Sequence, residues 1–151
     1  MAEALRVGIA GLGTVGASVV RVLRDKAEDI TRQCGRPVVV VAVSARHRNR
    51  DRGIDLAGID WYDTPVELAK AAGIDVVVEL IGGAEGAARD CVRAALEAGR
   101  HVVTANKALL AKHGVALAEI AEKKGVLLNY EAAVAGGIPI IKTLRESLAG
   151  N

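Results

Sequence analysis

A chain of 151 residues with a formal net charge of +2, 51% apolar and 25% charged, is one globular domain's worth of sequence rather than a disordered segment. So small a net charge gives no reason to expect a nucleic-acid partner, and no apolar run approaches the roughly 18 residues that suggest a membrane span. Glu3 and Arg6 interrupt the first ten residues, which therefore do not resemble a signal peptide, and Cys34 and Cys91 stand apart with no metal spacing, so a cytoplasmic protein with reduced thiols is expected.

Aromatic residues make up only 2% and Phe is absent, so the core must be built from Val, Ile, Leu and Ala. Such runs suit strands covered on both faces, as in a parallel sheet. In chain order, 5-LRVGIA-10 predicts a first strand that enters 11-GLGTVG-16. A helix follows through Cys34, with Val15, Val19, Val22, Leu23 and Ile30 near one face. Gly35 and Pro37 end it, and 38-VVVVAVS-44 predicts a continuous buried strand. The segment 45-ARHRNRDRG-53 is polar and strongly basic, hence a loop. Thr64, Pro65 and Glu67 then form a capping box with proline at the first helical position. Gly73 stops that helix, and 74-IDVVVELIGG-83 predicts a buried strand running into a glycine pair. A helix from Glu85 to Ala98 closes at Gly99. Strand 101–104 leads to Asn106 as a helix cap and to a helix that starts at Lys107, is interrupted at Gly114 and ends at Gly125. Strand 126-VLLNYE-131 and the segment 132-AAVAGGIP-139 precede a last helix. Its Ile138, Ile141, Leu144 and Leu148 make an apolar stripe that expects further chain to pack on it. Strands alternating with helices predict an α/β fold of Rossmann type, a doubly wound, mostly parallel sheet with helices on both faces.

The segment 11-GLGTVG-16 matches G-x-G-x-x-G between a strand and a helix, the context that gives this pattern meaning. Gly11 permits the tight turn, Gly13 lets backbone approach a pyrophosphate, and Gly16 lets helix pack on strand, with Thr14 and Val15 opening the helix. The alternative is a glycine-rich turn with no ligand. An acidic residue that would grip an adenosine ribose should end the second strand, and it is absent. Ser44 and Arg46 stand there instead, which favours NADP(H) over NAD(H), because a carboxylate would repel a 2′-phosphate and a guanidinium pairs with it. A merely solvated basic loop is the alternative reading. Nucleic-acid binding by Arg46, Arg48, Arg50 and Arg52 is disfavoured, since no aromatic residues interleave.

In an open α/β sheet ligands sit outside the carboxyl ends of the strands. Ile81, Gly82 and Gly83 leave a strand at that edge, as do Thr104, Asn106 and Lys107. A lysine in a first helical turn opposes the helix dipole, a placement that makes sense for contact with an anion or for proton transfer. A lysine pointing into solvent is the competing explanation.

Taken together, 11-GLGTVG-16, 78-VELIGG-83, 102-VVTANKALLAKHG-114 and 130-YEAAVAGGIPIIKTLRESLAGN-151 resemble homoserine dehydrogenase, over its N-terminal nucleotide-binding part. The resemblance implies NAD(P)H-dependent interconversion of aspartate 4-semialdehyde and homoserine, on the route to threonine, methionine and isoleucine. It makes Lys107 the catalytic lysine near nicotinamide and substrate oxygen. It also implies a monovalent cation, sodium in the family, on backbone carbonyls of Glu131, Val134, Gly136 and Ile138. Residues 1–136 would be the nucleotide-binding domain and 137–151 the start of a connection to a missing dimerisation and substrate domain. The family's second lysine and its acidic substrate-binding residues belong to that domain. The small-molecule substrate would therefore engage only when that domain is present, the isolated chain would be inactive, and the full-length enzyme would be a homodimer. Two rivals are a stand-alone NAD(P)-sensing regulatory module and another dehydrogenase on the same nucleotide domain; the stretch 104-TANKALL-110 argues against the second.

Overall fold

The computed structural model describes residues 2–134, 138–143 and 146. Strand β1 (Leu5–Ala10) leads to helices α1 (Thr14–Asp25) and α2 (Ala27–Cys34), then β2 (Val38–Ser44), β3 (Asp60–Tyr62) and α3 (Pro65–Lys70). Next come β4 (Val76–Glu79), α4 (Ala87–Glu97), β5 (His101–Thr104), α5 (Lys107–Lys124) and β6 (Leu128–Asn129), followed by a 3-10 turn (Glu131–Ala133) and a short α6 (Ile140–Lys142). The six strands form one sheet in the order β3-β2-β1-β4-β5-β6. Every neighbouring pair is parallel. The expected doubly wound sheet is therefore present.

Alternation along the strands divides the aliphatic core between the two faces. On one face Ala10, Ala42, Val77, Val102 and Leu128 meet Leu68 and Ala69 of α3, Cys91, Val92, Ala95 and Leu96 of α4, and Leu109, Leu117 and Ala121 of α5. On the other, Val7, Ile9 and Val43 meet Leu12 and Val20 at the start of the α1 arm, with Ile54, Leu56, Ile59 and Trp61 closing its edge. That second face is less covered over β5 and the approach to β6, where Val103 and Leu127 are exposed. Gly8 faces α3: a side chain there would meet Leu68 and Ile74 methyl carbons at 2.9 Å, so its absence sets how closely α3 lies on β1.

Several local expectations need correction. The helix predicted through Cys34 breaks at Lys26, whose backbone leaves helical geometry (φ −109°, ψ 22°) although hydrogen bonds into and out of it continue. Its buried face is Gly16, Ala17 and Val20, whereas Val15 and Val22 are exposed. Strand β3 was not expected; three residues with alternating polar neighbours are too short to show a period. Helix α4 begins at Ala87 rather than Glu85, and β6 is only Leu128–Asn129. Helix α5 runs unbroken through Gly114, because the packing of Leu109, Leu117 and Ala121 holds it and outweighs one glycine. The Thr64 capping box and the Asn106 cap are both formed. Of the apolar stripe, Leu144 and Leu148 lie outside the described residues, and Ile138 is exposed.

The glycines separate into two kinds with opposite expected effects. A side chain at Gly16 would fall 1.9 Å from the Gly11 carbonyl oxygen, which is backbone and cannot swing away. Gly16→Ala should therefore cost about 3 kcal/mol or more, read as a lower urea midpoint. At Gly114 the nearest atom, Leu110 Cβ, is 3.9 Å away. Gly114→Ala should raise stability by up to about 1 kcal/mol, because alanine is the better helix former.

Candidate functional site

Strand register places Ser44, Ala10, Glu79 and Thr104 in one row across the sheet, with Tyr62 opposite Ser44 at the end. The loops after β2, β1, β4 and β5 thus leave from a single line. Backbone pairing extends one step beyond it: the Gly11 N–H donates to the Ser44 carbonyl (2.9 Å) and the Leu80 N–H to the Ala10 carbonyl (2.8 Å). From β1 the chain winds towards β2 and β3, then returns to β4 on the other side and continues outward. The loops after β1 and β4 therefore diverge, and a crevice opens between them.

Among the described residues the buried polar or charged side chains are Ser44, Glu79, Thr104 and Asn106, and all lie at this edge. Glu79 is fully buried, which for an isolated carboxylate costs several kcal/mol. Its surroundings offset that cost. Oε1 accepts from the backbone N–H of Ile81 (2.7 Å) and of Gly82 (3.2 Å), and Oε2 accepts from the Thr104 hydroxyl (2.6 Å). The Thr104 oxygen accepts in turn from the Asn106 N–H (3.0 Å). Asn106 Oδ1 caps α5 by accepting from the Leu109 N–H (3.1 Å), and its Nδ2 donates to the Gly83 carbonyl (2.7 Å). One connected network thus fixes the turn 80–83, the end of β5 and the helix start that carries Lys107. Beneath it, burial first and the Glu79 charge second push the Cys91 thiol up to about 12, so this cysteine stays protonated and inert.

Above the row lies a cleft of about 640 Å³, within the range of small-molecule sites. Gly11, Gly13, Ser44, Arg46, Ile81 and Gly82 line it together. Gly11 takes φ 106°, and a side chain there would lie 2.6 Å from the Leu80 carbonyl oxygen, so glycine permits both the turn and its closeness to β4. Gly13 has nothing within 4 Å of the position a Cβ would take, which leaves backbone bare to the cleft. It also begins α1, whose first turn has no side-chain cap and no acidic residue, so free N–H groups and the positive dipole end are available to an anion.

The basic loop is not uniform. Arg46, His47, Arg50 and Arg52 line the cleft. The Arg52 guanidinium donates to backbone carbonyls, and Arg48 and Arg52 lie against Trp61. The guanidinium groups of Arg46 and Arg50 have no partner among the described residues. On the opposite rim, Glu85 accepts from Lys112 first and His113 second, which hold its carboxyl down to about 2; Arg89 joins them, so its negative charge is locally balanced.

Other expected site residues lie apart from the cleft wall. Thr14 and Val15 are exposed, Gly16 is buried under the Gly11 carbonyl, and Gly83, Thr104 and Asn106 join the network below. Lys107 is exposed at the first position of α5, outside the cleft lining, and its ammonium has no partner among the described residues. For the cation, Glu131 and Val134 bracket the turn after β6 and the Glu131 carbonyl already accepts from the Val134 N–H (3.2 Å); Ile138 is exposed and Gly136 lies outside the described residues. Sequence reading missed the roles of Glu79, Arg50, Arg52 and Trp61. A lone Glu closing an aliphatic strand was the available signal for Glu79; the arginine contacts depend on loop path, which spacing does not reveal.

Residues 11–131 match the family model described as homoserine dehydrogenase, NAD binding domain. The chain is 47% identical over 147 residues to a homoserine dehydrogenase of Neisseria gonorrhoeae, covering 97% of this chain and 33% of that protein. It is 48% identical over 149 residues to one of Pseudomonas aeruginosa, again covering 97% and 33%. The crystal structure of a homoserine dehydrogenase from Thiobacillus denitrificans superposes with a TM-score of 0.88 at 47% identity, over 99% of this chain and 34% of that one. The chain thus spans about a third of the length of the curated relatives it matches.

The Glu79 network makes its own prediction. In Glu79→Gln the new amide occupies the Thr104 side, and the Thr104 hydroxyl proton loses its acceptor in a buried site. The expected cost is about 2 kcal/mol in urea unfolding. The neutral amide oxygen left facing the Ile81 and Gly82 N–H groups is a weaker acceptor than the carboxylate, so hydrogen exchange should rise at both amides; unchanged protection there would refute the assignment.

Proposed function

Because the chain belongs to the homoserine dehydrogenase NAD-binding domain family, we propose that it is the nucleotide-binding part of an enzyme that interconverts aspartate 4-semialdehyde and homoserine. A nicotinamide nucleotide is the cofactor class of that family model. The observation that carries the reading is the convergence of Gly11, Gly13, Ser44, Arg46, Ile81 and Gly82 on one cleft at the strand-order reversal. The open backbone at Gly13 and the uncapped start of α1 fit a pyrophosphate. Thr14, Val15 and Gly16 present that helix start.

NADP(H) is the preferred form in this proposal. Strand β2 ends in buried Ser44 with no carboxylate in the six residues after it, and Arg46 and Arg50, whose guanidinium groups have no partner among the described residues, line the same cleft. The bound cofactor supplies or accepts the hydride. Ile81, Gly82 and Gly83 set the backbone beyond its phosphates, while Thr104 and Asn106 hold the start of α5. Lys107 offers its ammonium to the substrate oxygen, where it stabilises developing alkoxide charge or exchanges the accompanying proton.

Domain limits at 1–136 and 137–151, a homodimeric full-length enzyme, and a monovalent cation at Glu131, Val134, Gly136 and Ile138 belong to the same proposal. No step depends on that cation, and Gly136 lies outside the described residues. Among the described residues no helix is long and apolar enough to cross a membrane.

Calorimetric titration of the chain with NADPH and with NADH tests the reading. NADPH should bind more tightly, and Arg46→Ala should remove about tenfold of that preference. Gly13→Ala should weaken both cofactors by about tenfold or more while leaving the unfolding midpoint nearly unchanged. Binding of neither cofactor would defeat the proposal. The purified chain should show no homoserine-dependent reduction of NADP, and measurable turnover would overturn the requirement for a further substrate domain.

A further inference from the structure

The arginines of the loop after β2 are not equivalent. Arg52 Nε donates to the Leu12 carbonyl (3.1 Å), Nη1 to the Arg50 carbonyl (2.7 Å) and Nη2 to the His47 carbonyl (2.6 Å). Leu12 belongs to the glycine loop, whereas His47 and Arg50 belong to the basic loop, so one planar guanidinium joins the two walls of the cleft. The His47 carbonyl also accepts from the Arg50 N–H (3.3 Å), closing a turn that Arg52 grips at both ends. Behind it the guanidinium lies 5.5 Å from the ring centre of Trp61, and Arg48 lies 5.9 Å from the same ring. Trp61 itself is partly buried and packs against the core cluster of Val7, Ile9, Leu12, Val20 and Val43.

From this arrangement we infer that Arg52 is a positioning residue for cofactor discrimination: it clasps the basic loop to the glycine loop and so presents Arg46 and Arg50 to the 2′-phosphate end of the cleft. This rests on the cofactor reading under Proposed function only for the identity of the ligand; the clasp itself is a property of the free protein. Each of its three nitrogens donates to a backbone carbonyl, so Arg52 acts through the loop it holds while its positive charge still contributes to the field in the cleft. A lysine could keep the charge but has no planar fork to reach three carbonyls.

Two readouts need no ligand. Arg48 and Arg50 are tryptic sites within the clasped turn, Arg46 is one immediately before it, and Trp61 is the sole tryptophan of the chain. Arg52→Gln and Arg52→Lys should each speed tryptic cleavage in the loop by about tenfold and shift Trp61 emission, with the urea midpoint little changed. Arg48→Gln, which removes a ring contact but none of the three bonds, should leave cleavage after Arg46 and Arg50 near the wild-type rate. In titrations, Arg52→Gln should weaken NADPH by about tenfold and NADH by less than about threefold, because a general loss of structure would weaken both alike. Unchanged cleavage and emission in Arg52→Gln overturn the clasp, as does equal loosening by Arg48→Gln. A loosened loop with an unchanged NADPH-to-NADH ratio, where Arg46→Ala does change it, overturns the positioning role. A wild-type chain that does not discriminate between the cofactors overturns the phosphate reading alone, and the cleavage rates and Trp61 emission still decide the clasp.

Discussion

The carboxylate of Glu79, wholly removed from water, is the point from which the rest of the cleft takes its shape. A parallel sheet supplies strands but leaves the paths of the loops at its carboxyl edge undetermined. Here two N–H groups of the turn after β4 and the hydroxyl that ends β5 all point at one buried charge. An ionised group in such a place is tolerable only when fully hydrogen-bonded, and that demand runs the other way as well: the turn and the helix start must stay where the carboxylate needs them. The floor of the cleft is thereby tied to the ends of β4 and β5.

Against that floor, the two ends of the cleft use different electrostatics. At the glycine loop the positive potential comes from backbone, through uncapped N–H groups at the head of α1. Towards β3 it comes from side chains, through arginines whose geometry depends on other arginines. The rim opposite holds Glu85, whose charge Lys112 of α5 and Arg89 of α4 balance, and Asp63 also lines the cleft.

How much of this was legible in the sequence follows from which interactions are local. The glycine loop, the Thr64 capping box and the Asn106 cap are contacts within a few residues, and spacing disclosed them. The aliphatic runs disclosed five of the six strands for the same reason, since consecutive apolar residues are a local signal, even where the second face leaves Val103 and Leu127 exposed. Strand β3 escaped because Asp60–Tyr62 is an edge strand of three residues, recruited by pairing with Ala42–Ser44 rather than by its own pattern. The expected break at Gly114 failed because tertiary packing of α5 exceeds the preference of a single glycine. Glu79 and Arg52 act across separations of 25 and 40 residues, distances at which spacing carries no information.

The loop between β2 and β3 has a consequence for how such a domain changes over generations. From Arg46 to Gly53 it contributes no side chain to either core cluster, whereas Ile54, Leu56 and Ile59 immediately after it are packed inside. Its charge can thus be rewritten while the folding free energy stays almost constant, so substitutions that alter which ligands the cleft accepts escape the stability threshold that purges most mutations. Ligand preference in this architecture is free to drift where the sheet is not.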